Sequence, residues 1–107
     1  MKKTSDKEAM VCPRFHQAVE LVGRRWTGAI LFVLIKGDAR FGELKERIPE
    51  LSDRLLSERL KELEDEGIVE RDVAQERPVC VTYRLTERGR ALKPVLASIG
   101  RWAEDWL

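Results

Sequence analysis

Residues 52–67 read S-D-R-L-L-S-E-R-L-K-E-L-E-D-E-G. Leu56, Leu60 and Leu63 fall at i, i+4 and i+7, the spacing of one buried helical stripe. Ser52 is a favourable N-cap, and Gly67 is placed to end the helix. Ser52, Arg54, Ser57 and Arg59 lie off that stripe, while the acids crowd the far end. A helix dipole alone favours the reverse, acids first and bases last. A front half that meets something negatively charged accounts for the inversion. The competing account is a solvated face. Residues 52–66 hold three basic and six acidic side chains, a net of −3. On such a face the i,i+4 pair Arg54–Glu58 is favourable and Glu58–Glu62 unfavourable.

The neighbouring stretches decide between them. Upstream, Phe41, Leu44 and Ile48 mark a short helix that stops before Pro49. Downstream the period changes to two: I-V-E-R-D-V (68–73) and V-C-V-T-Y-R-L (79–85) flank A-Q-E-R-P (74–78), the pattern of a β-hairpin. Two helices joined by a tight turn and followed by a hairpin make a winged helix-turn-helix. The expected fold is therefore α+β and mainly helical, with the helix pair over 41–66 and a two-stranded wing over 68–85.

Outside this unit, Phe15, Ala18, Val19 and Val22 predict a first helix from Cys12, closed by Gly23. The run A-I-L-F-V-L-I (29–35) suits a buried helix or a buried strand; a central helix from Trp26 to Lys36, ended by Gly37, is expected. Thr86 caps a last helix over 86–107, where Pro94 should kink or loosen the backbone. Residues 1–10 are polar and aperiodic, which predicts a flexible N-terminal arm ahead of a single domain over 11–107.

Composition narrows the class. A chain of 107 residues with 43% apolar and 36% charged residues is a globular domain with a heavily charged surface. Its net charge of +1 neither advertises nor excludes a nucleic-acid partner, because the local field at a contact face matters more than the sum. No stretch approaches the roughly 18 consecutive apolar residues of a membrane span. Two cysteines and one histidine supply no metal-ligand spacing and no disulfide framework, so no metal or cofactor is expected and a reducing cytoplasm is the default.

In a helix-turn-helix the second helix enters the major groove with its N-terminal half. Arg54 and Arg59 are then candidate base readers or phosphate contacts, and Ser52 and Ser57 stand beside them. Arg40, Lys45 and Arg47 suit backbone contacts, and Arg77 lies near the wing tip. The last helix carries Leu92, Val95, Leu96, Ile99, Trp102, Ala103 and Trp106, more apolar surface than a small domain needs. A two-fold interface is expected from Leu92, Ile99, Trp102 and Trp106, completed by Phe15 and Val19. A homodimer of this kind presents two recognition helices to two half-sites of double-stranded DNA. Cys12, near a helix start and beside Arg14, is a candidate thiolate sensor; Cys80, on a strand, reads as packing.

In order, the stretches C-P (12–13), L-V-G-R-R-W-T (21–27), R-F-G-E-L (40–44), L-S-D-R-L-L-S-E-R-L-K-E-L-E-D-E-G-I-V-E-R (51–71), V-T-Y-R-L-T-E-R-G (81–89) and L-K-P-V-L (92–96), with Trp102 beyond, resemble the HxlR-type winged-helix transcriptional regulators. The resemblance spans nearly all of 12–106. It implies a homodimer on operator DNA, and many such proteins respond to oxidants, electrophiles or aldehydes, several through a cysteine that Cys12 matches. Asp53 and Cys80 depart from the pattern. The first puts an acid at the start of the recognition helix, and the second replaces a basic residue after the wing.

Two other classes compete. A winged-helix protein-interaction module without DNA binding would suit the near-zero net charge and the acidic half of the fourth helix. A thiol enzyme using Cys12 would need a base and an oxyanion site, neither of which the sequence displays.

Overall fold

The computed structural model describes residues 10–75 and 77–107. The expectation of a flexible arm over 1–10 therefore falls, apart from Met10, outside the described residues. Helix α1 is Pro13–Gly23; Cys12 caps it in an extended conformation, and Pro13 opens the first turn, where a missing N–H costs nothing. The corner Arg24-Arg25-Trp26 then reverses the chain. Trp26 adopts φ 76°, a left-handed conformation that an aromatic residue rarely takes. Helix α2, Thr27–Lys36, buries Thr27, Ile30, Leu31, Val33 and Leu34 and is the central element. The apolar run that suited either helix or strand is thus helical, with Phe32 left outside under the Lys36 ammonium.

Strand β1 is only Ala39–Arg40, and α3 is Phe41–Arg47. Helix α4, Asp53–Asp65, buries Leu56, Leu60 and Leu63, and the Ser52 hydroxyl accepts from the Leu55 N–H at 3.1 Å, the expected cap. The helix ends in a Schellman motif: Ile68 N–H bonds to the Leu63 carbonyl and Gly67 N–H to that of Glu64. Gly67 takes φ 72°, the left-handed position this motif requires.

Strands β2 (Val69–Ala74) and β3 (Cys80–Leu85) pair antiparallel from Val69 opposite Leu85 to Ala74 opposite Cys80. The β2–β3 hairpin is the expected two-stranded wing; among the described residues the sheet gains a third strand, since β1 adds to the free edge of β3 through Ala39 opposite Tyr83 and Arg40 opposite Thr82. A two-residue strand has no period to display, so the alternation rule passed over it.

The expected single last helix is two. Thr86 caps a short α5, Glu87–Arg90, by accepting from Gly89 N–H, and α6 begins afresh as Lys93–Trp106. Pro94 therefore lies in the first turn of α6, where no intrahelical bond is lost, and it kinks nothing. Gly89 seats α5 against the end of α4: a Cβ there would lie 2.2 Å from the Ile68 carbonyl oxygen.

One core joins α2, α3, α4 and the base of the sheet through Ile30, Leu31, Leu44, Leu51, Leu56, Leu60, Leu63, Ile68 and Leu85. Neither α1 nor α6 buries a single residue. The molecule is accordingly long, 66 by 30 by 22 Å, with a radius of gyration of 16.9 Å. A compact chain of about 100 residues has about 13 Å. Two helices stand out from the body.

Candidate nucleic-acid interface

The helix pair is held rigidly by its turn. Leu51 N–H bonds to the Ile48 carbonyl, and the Lys45 ammonium donates to the Leu51 carbonyl. The same ammonium pairs with Asp53 at 3.2 Å. Lys45, expected to hold the nucleic-acid backbone, is thus largely spent on the turn. The pairing also offsets the charge of Asp53, the acid that departs from the family pattern.

Opposite the leucine stripe, α4 presents Arg54, Ser57 and Lys61 as one exposed ridge. The Arg54 side chain is 90% exposed, and its one polar partner among the described residues is Glu58, Nε to Oε2 at 3.2 Å. Such an exposed pair is worth about 0.3–0.5 kcal/mol and is easily exchanged for a phosphate or a base edge. Lys61 rests on Asp65 at 3.1 Å. It was missed because it sits among the acids, yet it lies seven residues, two turns, beyond Arg54.

Arg59 is different. Its side chain is only 12% exposed. Nε donates to the Arg25 carbonyl at 2.9 Å, and the guanidinium meets Glu62 at 3.3 Å. The structure turns it inward as a brace between α4 and the α1–α2 corner. Glu62 also takes Arg24 Nε at 3.1 Å. The repulsion expected between Glu58 and Glu62 is therefore relieved, since each carboxylate faces an arginine.

The Ser52 oxygen caps the helix, and among the described residues its hydroxyl proton has no acceptor. Arg40 caps α3, its own N–H bonded to Glu43 at 2.8 Å, and its side chain is exposed, as are those of Arg47 and Arg77. Arg84 on β3 is held among Asp38, Asp72 and Glu70, and the hydrogen bonds to Asp72 first and then to Asp38 raise its pKa.

Cys12 is exposed at the start of α1. The backbone N–H of Phe15, then that of Arg14, and last the Arg14 side chain lower its thiol pKa below the ordinary value, against a desolvation that exceeds the side-chain contribution but not the two backbone ones. Cys80 is half-buried on β3, 4.0 Å from the Thr82 hydroxyl.

Phe15, Val19, Ile99, Trp102 and Trp106 are all exposed, Trp102 by 59% and Trp106 by 74%. Leu92 is not among them; with Leu96 it packs onto the chain's own core. Met10, Val11, Phe32 and Val95 extend the apolar surface beyond the expected set. Phe32 was missed because a central helix reads as buried all round. Among the described residues no helix is long and apolar enough to cross a membrane.

A capped second helix with a basic, polar outer ridge, a preceding helix locked to it, and an adjoining hairpin define the winged helix-turn-helix class. The chain belongs to the HxlR-like helix-turn-helix family, whose model matches residues 21–107. It is 49% identical over 100 residues to the uncharacterized HTH-type transcriptional regulator YvaP of Bacillus subtilis (strain 168), covering 94% of this chain and 93% of that protein. The reduced form of the transcriptional regulator YodB from B. subtilis superposes with a TM-score of 0.83 at 48% identity, covering 91% of this chain and 95% of that one. Quinone-bound YodB from the same organism superposes with a TM-score of 0.79 at 45% identity, covering 90% of this chain and all of that one.

Proposed function

We propose that this chain is a DNA-binding transcriptional regulator that acts in the cytoplasm as a homodimer and answers electrophiles or oxidants through Cys12. The observation that carries the reading is the exposed ridge Arg54–Ser57–Lys61, on a helix anchored by Leu56, Leu60 and Leu63. Arg54 and Ser57 address base edges; Ser52, Arg40, Arg47 and Arg77 address phosphates; Lys61 reaches the backbone beyond the ridge. Arg59 serves as the brace behind that surface, and Lys45 as the pin of its turn. Membership of a regulator family supports the DNA partner.

The homodimer is supported by two helices without a buried residue and by their shared aromatic surface. Phe15 and Val19 from α1 join Ile99, Trp102 and Trp106 from α6 across the two-fold axis. For the signal, support comes from the exposed, acidified thiol of Cys12 and from the quinone-bound form of YodB. The Cys12 thiolate adds to a ring carbon of a quinone. An S–C bond forms as the ring C=C pair shifts onto one carbonyl oxygen. The same ring carbon then loses its hydrogen as a proton to water, its C–H pair restores the aromatic ring, and the two oxygens take up one proton each to give a hydroquinone thioether.

Selection of bound sequences from a randomised duplex pool, with reduced protein at moderate salt, tests the reading. Enrichment of a paired half-site motif is expected. Absence of any enriched motif would reject sequence-specific binding in favour of the protein-interaction module.

A further inference from the structure

Helix α1 is tied to the body at one end only. Residues 11–20 are all exposed, whereas Leu21 reaches the core and Arg24 reaches Glu62. Between α1 and the C-terminal half of α4 lies an open groove of about 700 Å³, walled by Arg14, Gln17 and Leu21 on one side and by Glu62 and Asp65 on the other. Glu62 belongs both to this wall and to the α1–α2 corner. Its two carboxylate oxygens hold Arg24 at 3.1 Å and Arg59 at 3.3 Å, and Arg59 in turn holds the Arg25 carbonyl at 2.9 Å. The corner itself yields little: Thr27 N–H bonds to the Arg24 carbonyl, Ile30 N–H to that of Trp26, and Trp26 is fixed in a left-handed conformation.

Helix α1 meets its own body only at its base and, in the proposed homodimer, meets the partner through Phe15 and Val19, so it links the partner's surface to the joint. Cys12 sits at the end away from the body and the recognition helix at the pinned end. We propose that Glu62 is a positioning residue that transmits the attitude of α1 to the recognition helix, so that a change at Cys12 reaches the DNA surface through the Arg24–Glu62–Arg59 joint. This inference rests on the DNA-binding and sensing functions proposed above. Glu62 touches neither the DNA ridge nor the thiol. Its role is to keep the two ends of the chain of contacts in register, and a two-state movement of α1 is the element it couples.

The test uses the full chain carrying Cys80→Ser, so that Cys12 is the sole thiol, and the duplex enriched by the pool selection. N-ethylmaleimide is the probe. The Cys12 thiolate bonds to one alkene carbon, the π pair moves to the other, and that carbon takes a proton from water. Operator affinity is measured before and after complete alkylation, with mass spectrometry confirming one adduct. The parent should lose about tenfold or more on alkylation, a usual size for coupling between sites. Glu62→Gln, and independently Arg24→Ala, should still bind the duplex when reduced but change less than about twofold on alkylation, because the coupling is gone.

A purely stabilising role would lower the melting temperature and leave the alkylation ratio as large as in the parent; that result overturns the inference. A parent that binds but ignores alkylation refutes Cys12 sensing, and the proposed role of the joint falls with it. A parent that binds no selected duplex refutes the DNA reading instead. Arg24 is more than half exposed and away from the leucine core, so its truncation keeps the test open if Glu62→Gln misfolds.

Discussion

Lys45 and Asp53 meet across the turn of the helix pair, Nζ to Oδ1 at 3.2 Å, and the same ammonium donates to the Leu51 carbonyl. Replacing Lys45 with Met keeps the aliphatic stem and removes both interactions. We expect a loss of about 1–2 kcal/mol in urea unfolding, from the half-covered carbonyl more than from the exposed acid. A loss of less than about 0.5 kcal/mol, the scatter of ordinary surface changes, would deny Lys45 this role.

Arg54→Ala removes the most exposed cation of the ridge. If Arg54 reads a base, the preference for the selected duplex over a one-position variant should fall by about 1–3 kcal/mol. An equal loss on selected and random DNA, with a shallower salt dependence, would assign it to phosphate.

Trp102→Asp places a charge in the middle of the proposed two-fold surface. Sedimentation should show monomers, and affinity for a paired half-site should drop; the melting temperature should fall only by what the lost association contributed, since Trp102 covers none of the core. A variant of unchanged mass would place the dimer elsewhere.

Cys12→Ser should leave operator binding intact and abolish the response to quinone. In the wild-type chain, alkylation depends on the thiolate, and hydrogen bonds from Phe15 and Arg14 lower the pKa. Its rate should therefore hold as pH falls below the usual thiol range and decline only at a lower pH than for a free cysteine. A rate profile matching an unstructured peptide would show that the helix start does not acidify this thiol.

Gly89→Ala probes the seat of α5. The new Cβ meets the Ile68 carbonyl at 2.2 Å, a backbone atom that cannot swing aside. Overpacking of this kind costs about 1–3 kcal/mol, read as a lower melting temperature. An unchanged melt would mean that α5 shifts freely.

The leucine stripe of α4, its Ser52 cap and its Gly67 stop were legible because spacing alone dictates them. The wing hairpin was legible for the same reason. Strand β1 was not, because two residues carry no period. Pro94 misled for another reason: a proline breaks a helix only inside one, and the sequence does not reveal that a new helix begins a residue earlier. Within the site, Arg54 and Arg59 look alike in sequence. They differ because Arg59 reaches the Arg25 carbonyl from the flank of α4, a contact 34 residues away that helical periodicity cannot register.

The Thr86–Gly89 cap and the close fit of Gly89 on Ile68 bind the wing, the end of α4 and the root of α6 into one solid block. In a homodimer, the vocabulary read by each copy would be written on the ridge of that block. The distance between the two words would be set by how one α6 crosses its partner. Descendants of such a protein could then revise the spelling of an operator by changing the ridge, or the spacing of its halves by changing the crossing. Neither revision would disturb the other.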